Sequence, residues 1–548
     1  MIQGEKNIMG KRTLALGAAA IALSALLAGQ VLAAESATPH LSTADGKTRL
    51  IVDGNPFLIL GGQIHNSSAA NPEDLKKALD VVAGLQANTA EVPLYWEMIE
   101  PQPGKYDFRS IDLALQEARG RGLKLVFLWF GTWKNGESKY TPEWVKLDRK
   151  KFERVTGSHG EETEIVSPFS AAALDADKAA FAAVMRHIKS ADGGKGTVIM
   201  MQVENEPGFL GTDRDYSQGA SAQFDAKVPA ALTGWLAQHR ATLSASMTAI
   251  LARQGNRADG TWREVFGDLA PEAFTAWSVS RYVDAVAAAG KKEYALPMYS
   301  NVWLIEGVER AGRWPSGGAT EHVMDIWKAM APSIDILAPD IYYPKFNDHA
   351  AYYARPDNAL FVPEVNFSPY FAGFAYSVFG DFNGIGYSPF GVDDVAKGGV
   401  PEQIGGYFMD TYATLRPLLP VIARYQYSGA IHPVLQGTGR GEDWKMSVPL
   451  GDRLAANVEF TAKFSPEEGR GKGMIVELAK GDFLVAGSGF KVTFRELDGP
   501  LRDAQILSIE EGTFQGPNWV AQRRLNGDEA HVELGERSGV LRVKVLRP

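Results

Sequence analysis

The 548-residue chain contains no cysteine. This absence excludes thiol nucleophiles, disulfide bonds and zinc sites built from thiolates. The chain also has no long cluster of lysine and arginine, and 65 acidic residues outnumber 56 basic ones, which gives a net charge of −9. Because proteins that bind nucleic acid neutralise its phosphates with basic side chains, we expect no nucleic-acid partner.

Two kinds of motif are missing as well. None of the nine histidines belongs to an H-x-x-x-H pair, and no comparable cluster of carboxylates falls on one predicted helix, so we expect no catalytic metal. No G-x-G-x-x-G sequence follows a predicted strand into a helix, which argues against a dinucleotide. We therefore expect an activity that needs no cofactor.

A long apolar run lies near the N-terminus, at Leu14–Ala28. Basic residues precede it, and Val31 and Ala33 supply small side chains at positions −3 and −1 of a cleavage site before Ala34. This pattern predicts a secretory signal peptide over residues 1–33. The alternative is a membrane anchor, because the run is nearly long enough to span a bilayer, but the cleavage site favours export. We expect a periplasmic or secreted protein of a Gram-negative bacterium, free of the membrane after cleavage.

The rest of the composition is that of an ordinary globular protein, with 45% hydrophobic and 22% charged residues. From Leu50 the chain alternates short apolar runs with helical stretches, a pattern typical of βα units around a parallel sheet. Eight such runs predict a (β/α)8 TIM barrel, a fold of the α/β class. The predicted strands are Leu58–Ile64, Thr89–Tyr95, Lys124–Phe130, Val198–Val203, Met298–Trp303, Ile336–Tyr342, Leu360–Val365 and one near Gly384–Tyr387.

Helical periodicity fills the connections between these strands. Pro72–Leu85 is predicted to be helical after an Asn71 cap, and the long fourth connection holds the helical stretch Ala230–Arg253. Near residue 430 the pattern changes to short alternating strands separated by glycine-rich turns. The sequence therefore predicts three parts, which are a signal peptide (1–33), a catalytic barrel (34–429) and a smaller, sandwich-like all-β accessory domain (430–548).

Carboxylates end two of the predicted barrel strands. The fourth strand runs directly into Glu204, Asn205 and Glu206, and Glu364 closes the seventh strand. These positions lie at the C-terminal face of a barrel, where active sites form. A carboxylate that ends a buried strand either pairs with a cation or faces a cleft, because burying an unpaired charge is costly. Glu204 and Glu206 would share a face if the strand continued, so periodicity does not choose between them.

Two converging carboxylates are what glycoside hydrolysis requires. One protonates the leaving oxygen, and the other attacks the anomeric carbon or activates a water. The pairing of two such strand ends on one barrel rim favours a glycosidase over a structural role for each residue alone.

The segment Q-V-E-N-E-P-G at 202–208 resembles the Q-V-E-N-E-[YF]-G signature of glycoside hydrolase family 35, whose characteristic activity is β-galactosidase. The resemblance covers about residues 50–210 and reappears at Glu364. Its other segments are G-G-Q-I-H at 61–65, L-Y-W-E-M-I-E-P at 94–101, G-K-Y-D-F at 104–108, G-T-W-K-N-G-E at 131–137 and P-E-W at 142–144.

The resemblance implies that Glu206 is the acid/base and Glu364 the nucleophile. Glu204 is then interpreted as a structural ion-pair partner. The resemblance also implies a set of supporting contacts, with Asn205 on the 2-hydroxyl of the sugar, Asn135 and Glu137 on other hydroxyls, Tyr342 on the nucleophile, and Trp133 as a stacking platform. A place in the core is an equally open interpretation of Trp133.

We expect a retaining, exo-acting β-galactosidase that removes terminal β-galactosyl residues from oligosaccharides. Departures from the family signature, such as Pro207 in place of an aromatic residue, indicate a divergent bacterial branch, for which galactosylated plant-wall oligosaccharides of the xyloglucan type are suitable substrates. Two alternatives stay open, a β-glycosidase of the same barrel group with gluco or arabino preference, and a non-catalytic glycan-binding protein. The retention of both Glu206 and Glu364 argues against the second. The sequence does not indicate an oligomeric state.

Overall fold

The computed structural model describes residues 38–546, except for 306, 308–309, 344, 399–401, 438–443, 452, 464–468 and 498–501. The predicted signal peptide, residues 1–33, lies outside the described residues. Over the part of the chain that is described, none of the helices combines the length and the apolar character needed to cross a membrane.

The first half of the fold is a barrel preceded by a small antiparallel sheet. The sheet consists of β1 (His40–Ala44), β2 (Lys47–Val52) and β3 (Asn55–Pro56). The barrel strands are β4 (Ile59–Gln63), β5 (Thr89–Tyr95), β6 (Lys124–Lys134), β9 (Val198–Asn205), β10 (Met298–Trp303), β11 (Ile336–Ile341), β12 (Phe361–Val365) and β13 (Gly386–Pro389), while β7 (Arg154–Thr156) and β8 (Glu162–Val166) pair between β6 and β9.

All eight predicted barrel strands are confirmed, and they close in parallel into a TIM barrel. The last strand pairs with the first through Gly386 opposite Ile59 and Tyr387 opposite Leu60. Every residue of β5 and β9 is buried, because helices cover the outside and side chains fill the inside. Strands buried on both faces read as continuous apolar runs, and this is the signal that the sequence carried.

Helices occupy the connections between barrel strands. They are α1 (Pro72–Gly84), α2 (Trp96–Ile99), α3 (Arg109–Gly120), α4 (Glu143–Leu147), α5 (Ala171–Asp192), α6 (Gln218–Asp225), α7 (Ala230–Gln238), α8 (Ala245–Arg253), α9 (Trp262–Phe266), α10 (Ala270–Glu293), α11 (Met324–Met330), α12 (Phe346–Tyr353), α13 (Pro369–Ala372), α14 (Phe374–Gly380), α15 (Glu402–Leu415) and α16 (Leu419–Tyr425), with 3₁₀ turns at Gly267–Leu269, Val392–Val395, Arg416–Leu418 and Gly527–Glu529.

Local capping explains two of the helix boundaries. The Asn71 side chain accepts a hydrogen bond from the Asp74 backbone N–H (3.0 Å), so the predicted cap of α1 is confirmed. The predicted stretch Ala230–Arg253 is two helices, α7 and α8. They separate because Ser244 caps a new helix by accepting a hydrogen bond from the Met247 backbone N–H (3.1 Å).

The C-terminal part is a β-sandwich, as predicted. Its strands are β14 (Ile431–Leu435), β15 (Lys445–Leu450), β16 (Leu454–Phe460), β17 (Lys472–Ala479), β18 (Asp482–Ser488), β19 (Phe490–Glu496), β20 (Arg502–Asp503), β21 (Ile506–Gln515), β22 (Asn518–Leu525), β23 (Val532–Leu534) and β24 (Gly539–Val545). One antiparallel sheet has the order β14-β17-β18-β24-β21-β22, and the other consists of β15, β16, β19, β20 and β23.

The six-stranded sheet joins the sandwich to the barrel. On β17 and β18, Met474 and Leu484 belong to the hydrophobic core of the barrel. Their neighbours Ile475 and Phe483 point the other way, into the core of the sandwich. Because alternate residues of a strand face opposite sides, these two strands are buried on both faces. The sandwich is therefore packed against the barrel through an apolar layer.

Candidate active site

Three carboxyl groups meet at the C-terminal end of the barrel. Glu206 follows β9, Asp340 lies in β11 and Glu364 lies in β12. One oxygen from each lies within 4.8 Å of the others. Each side chain is buried, with at most 5% of its surface exposed. The two residues predicted to act together are thus side by side, and a third carboxyl accompanies them.

Glu364 is held by donors from three other strands or strand ends. Gln63 Nε2 donates to Glu364 Oε1 (2.8 Å), and Asn205 Nδ2 reaches the same oxygen at 3.4 Å. Tyr342 donates its hydroxyl to Glu364 Oε2 (2.7 Å). Burial first, and then the charge of Glu364, raises the pKa of Tyr342, so its hydroxyl stays protonated and able to donate. Three donors thus fix the orientation of the Glu364 carboxyl.

Glu206 is fixed through both its backbone and its side chain. Its backbone N–H donates to Asn301 Oδ1 (2.8 Å), and its side-chain Oε2 accepts a hydrogen bond from Asn135 Nδ2. Burial first, and then the charge of Glu364, raises the pKa of Glu206 to about 7, against the opposing effect of Lys134. A large fraction of the Glu206 side chains is therefore protonated at neutral pH, as an acid beside a nucleophile must be.

Lys134 places an ammonium group inside this cluster. The side chain is buried, with 6% of its surface exposed, and Nζ donates to Asn205 Oδ1 (2.8 Å). An ammonium can only donate, so it fixes which end of the Asn205 amide is the oxygen. The amide nitrogen of Asn205 is thereby turned toward Glu364. Lys134 thus sets both the charge and the hydrogen-bond direction of the site.

Glu204 lies outside the site, and its interpretation as an ion-pair partner is wrong. Its side chain faces another carboxyl, that of Asp177 on α5, and its Oε2 accepts the Trp133 backbone N–H (2.7 Å). Burial first, and then the charge of Asp177, raises the pKa of Glu204 well above its ordinary value. A protonated Glu204 donates to Asp177 in this environment. No side chain fits at Gly131, where a Cβ would lie 2.8 Å from Glu204 Oε1.

Of the residues predicted to support the reaction, the structure brings Asn205, Asn135 and Tyr342 to the carboxyl pair. The contacts of Trp133 and Glu137 are with other residues, and their predicted roles stay predictions. Trp133 is completely buried and packs edge-on against Tyr282, with ring centroids 4.7 Å apart. Glu137 pairs with the exposed Lys139 at 2.5 Å.

Four residues of the cluster received no role in the sequence analysis, namely Gln63, Lys134, Asn301 and Asp340. Gln63 and Lys134 fall inside the segments that resemble family 35. Asn301 and Asp340 are polar residues within the apolar strands β10 and β11, and that contrast is the signal that could have identified them. Among the residues that the structure describes, Glu206, Asp340 and Glu364 are also the one group whose acidic or histidine ligand atoms are close enough to hold a metal ion.

Two family models match this chain. Residues 49–255 match the model described as "Glycosyl hydrolases family 35", and this confirms the resemblance predicted from the sequence. The match includes Glu206 and ends before Glu364. Residues 408–535 match a model described as "Domain of unknown function (DUF5597)", which spans α15 and most of the sandwich.

Two β-galactosidases are similar to part of this chain. A β-galactosidase of Xanthomonas manihotis is 27% identical over 202 residues, which are 35% of this chain and 31% of that protein. A β-galactosidase of Canis lupus familiaris is 30% identical over 199 residues, which are 35% of this chain and 28% of that protein. The matched part therefore spans less than a third of either relative.

Similar solved structures include two β-galactosidases. The enzyme from the psychrophilic Marinomonas ef1 has a TM-score of 0.45 and 12% identity, over 66% of this chain and 60% of that one. The enzyme from Bacillus circulans sp. alkalophilus has a TM-score of 0.46 and 14% identity, over 67% of this chain and 57% of that one.

Proposed function

We propose that this chain is a retaining, exo-acting β-galactosidase of the family 35 type. The observation that carries the proposal is the pair of buried carboxyls, Glu206 and Glu364, which have oxygens within 4.8 Å of each other, with the pKa of Glu206 raised to about 7. The family 35 match over residues 49–255 and the two β-galactosidase relatives support the choice of sugar.

The reaction would proceed in two displacements. In the first, Glu364 attacks the anomeric carbon while Glu206 gives its proton to the glycosidic oxygen, so that the bond to the aglycone breaks and a glycosyl-enzyme forms. In the second, Glu206 takes a proton from a water that attacks the anomeric carbon, and Glu364 leaves. The protons balance because Glu206 ends each cycle protonated. Two inversions at one carbon retain the β configuration.

The spacing of the carboxyls supports this mechanism over a single displacement. One oxygen of Glu206 and one of Glu364 lie within 4.8 Å of each other. A retaining pair is about 5–5.5 Å apart, whereas an inverting pair needs roughly 6.5–9.5 Å to admit a water between sugar and base. The short separation leaves the nucleophile in reach of the sugar.

The proposed substrates are oligosaccharides with terminal β-galactosyl residues, including galactosylated plant-wall oligosaccharides of the xyloglucan type. A panel of nitrophenyl glycosides tests the sugar. Faster hydrolysis of the β-galactoside than of the β-glucoside and the arabinoside supports the proposal. Faster hydrolysis of the β-glucoside or the arabinoside supports the alternative with gluco or arabino preference. Binding of oligosaccharide without hydrolysis of any glycoside would indicate a glycan-binding protein instead.

Azide distinguishes the two carboxyls. Glu364→Gly should abolish hydrolysis, and azide should then give the α-azide in one inversion. In Glu206→Gly, kcat/KM should fall about 10²–10⁴-fold for substrates with poor leaving groups. It should fall little for substrates with good leaving groups, because a good leaving group needs no protonation. Azide should accelerate this second variant and give the β-azide, since it replaces the activated water.

Glu204→Gln is the matched control, since Glu204 is the neighbouring carboxyl on the same strand end but faces Asp177. It should keep both the azide-free rate and the leaving-group dependence of the wild type. Proton NMR of wild-type hydrolysis should show β-galactose first. If α-galactose forms first, or if Glu364→Gly keeps most of its activity, the assignment of roles is wrong.

A further inference from the structure

Asp340 is the third carboxyl of the site, and the proposed mechanism, which uses only Glu206 and Glu364, assigns it no role. It lies in β11, with 2% of its surface exposed, and one of its oxygens is within 4.8 Å of an oxygen of Glu206 and of Glu364. An inference about its task rests on the proposed function, because Glu206 is the acid/base only in that mechanism.

The charges around Asp340 limit how many of the three carboxyls can be ionised together. Two carboxylates that share a site repel, and one of them then retains a proton. Among the described residues, Lys134 is the cation that acts on Asp340. A nucleophilic Glu364 balances that single charge and leaves none for the other two. The titratable groups that face Asp340 are Glu206 from β9, Glu364 from β12, Lys134 from β6, Tyr299 from β10, Tyr342 after β11 and Tyr353 from α12.

The two oxygens of Asp340 have different surroundings. Oδ2 accepts a hydrogen bond from Asn301 Nδ2 (2.7 Å). Oδ1 is buried and receives no N–H or hydroxyl from the described residues. An oxygen of the Glu206 carboxyl lies within 4.8 Å of an oxygen of Asp340. A hydrogen bond between two carboxyl groups requires a proton on one of them.

Asn301 connects Asp340 to the backbone of Glu206. Because Asn301 gives its amide nitrogen to Asp340, its amide oxygen is left to accept the Glu206 N–H (2.8 Å). Glu206 has a φ of 45°, in the left-handed region that a non-glycine residue adopts only at a cost. The hydrogen bond from Asn301 to Asp340 thus helps to hold a strained backbone in the conformation that aims Glu206.

We propose that Asp340 is a positioning residue that keeps its carboxyl proton on Oδ1, donates it in a hydrogen bond to Glu206, and fixes the Asn301 amide with Oδ2. In this arrangement Asp340 steadies the ionised form of Glu206 that acts as the base in the second step. It acts through Glu206.

Two substitutions at the same position test this role. Asp340→Asn preserves both bonds, because an amide oxygen accepts from Asn301 and an amide nitrogen donates to Glu206. We expect it to keep kcat/KM within about threefold, with the alkaline limb of the pH profile unmoved. Asp340→Ala removes both bonds. We expect it to lose about 10–100-fold in kcat/KM on phenyl β-galactoside, and far less on 2,4-dinitrophenyl β-galactoside, which needs no acid.

Glu272→Gln is the matched control, because Glu272 is a buried carboxyl held by Trp314 (3.0 Å) outside the site. It should change kcat/KM for the two galactosides by one common factor. If Asp340→Ala does the same, Asp340 is merely structural. If Asp340→Asn moves the alkaline limb to lower pH by a unit or more, a negative charge has been removed and Asp340 is ionised in the active enzyme. Either result overturns the proposal.

Infrared spectroscopy tests the proton without using activity. In protein labelled with ¹³C-aspartate, the wild type at pH 7 should show a protonated-carboxyl C=O band that is missing from Asp340→Asn. Equal bands in the two proteins would refute the proposal. Loss of wild-type activity in EDTA and its return with a divalent cation would refute it as well, by making the three carboxyls a metal site. If the wild type cleaves neither galactoside, the proposed function fails, and the infrared result still decides the state of Asp340.

Discussion

At the scale of single residues, Lys134 controls the proton affinity of Glu206. Its ammonium lowers the pKa of Glu206 against the raising effects of burial and of Glu364. In the proposed mechanism Glu206 must be protonated in the first step, so kcat/KM should fall as the pH rises through about 7. Lys134→Gln removes the charge but keeps a donor for Asn205. We expect the alkaline limb to move to higher pH, by on the order of one unit.

The pH dependence of kcat/KM measures this shift. Lys139→Gln is the matched control, because Lys139 is exposed and pairs with Glu137 on the same loop. Its profile should overlay that of the wild type. A limb that stays in place in Lys134→Gln would mean that the alkaline limb belongs to a group other than Glu206.

The candidate site was predictable where polar residues interrupt a recognisable pattern. Glu206 and Glu364 end apolar strands, and this alone placed them at the barrel rim. The task of Asn301 was not predictable, because it depends on which atoms of Asp340 and Glu206 meet its amide across the barrel. Trp133 could not be assigned between core and site, because an aromatic residue suits both.

At the scale of elements, the end of β9 shows why strand periodicity failed there. Glu204 and Glu206 would share a face in a continuing strand. Both have positive φ values, 62° and 45°, so the strand has already left the extended conformation. Glu204 consequently faces Asp177 on α5, while Glu206 faces the barrel mouth. Alternation predicts side-chain direction only while the backbone stays extended.

The Glu204–Asp177 pair should make stability depend on pH. Burial raises the pKa of both carboxyls in the folded state, above ordinary values of 4.5 and 3.8. The folded protein therefore holds a proton that the unfolded chain releases, and this contribution to stability is full below about pH 4 and is lost as the pH rises through the folded-state pKa. Glu204→Gln donates to Asp177 without a titrating proton. We expect the free energy of unfolding of the wild type, relative to the variant, to fall by up to about 1.4 kcal/mol per pH unit.

Urea unfolding of the wild type and of Glu204→Gln measures this difference. The useful range is about pH 5–8, which lies above the ordinary pKa values of both carboxyls. Glu143→Gln, at an exposed carboxylate on α4, should track the wild type at every pH. Parallel pH curves for the wild type and Glu204→Gln would show that no extra proton is held at this pair.

The strands of the sandwich were predictable to different degrees. In β19 buried and exposed side chains alternate, and this is the pattern that predicts a sandwich strand from the sequence. In β22 most side chains are exposed, so its sequence carries no apolar alternation. Pairing with β21 at the sheet edge holds it in place, and such pairing leaves little mark on the sequence.

At the scale of the whole molecule, the sandwich stabilises the barrel. Met474, Val476, Leu484 and Ala486 complete the core of the barrel from the sandwich side. At about 1.5–3 kcal/mol for each large apolar side chain, their removal costs an amount comparable to the whole stability of a domain. We expect a chain ending at residue 430 to fail to fold, although no residue of the proposed site lies beyond it.

Circular dichroism and thermal melting of the truncated protein check this prediction. A truncated chain that melts cooperatively near the wild-type temperature and hydrolyses galactosides would show that the apolar layer is dispensable. A truncated chain that folds but does not hydrolyse would show that the sandwich completes the site. Val476→Asp in the full-length chain isolates the layer, and it should lower the melting temperature more than an exposed change such as Glu459→Gln.

The hydrogen bond from Gln63 to Glu364 joins the first barrel strand to the seventh, across 301 positions of sequence. Asn205, Glu206 and Tyr342 come from strands in between, so no contiguous fragment shorter than this span contains a usable site. During synthesis the ribosome must release nearly the whole barrel before a single turnover is possible. If the proposed function is right, hydrolysis of a chromogenic galactoside added to a translating or refolding sample would report when the two ends of this span have come together.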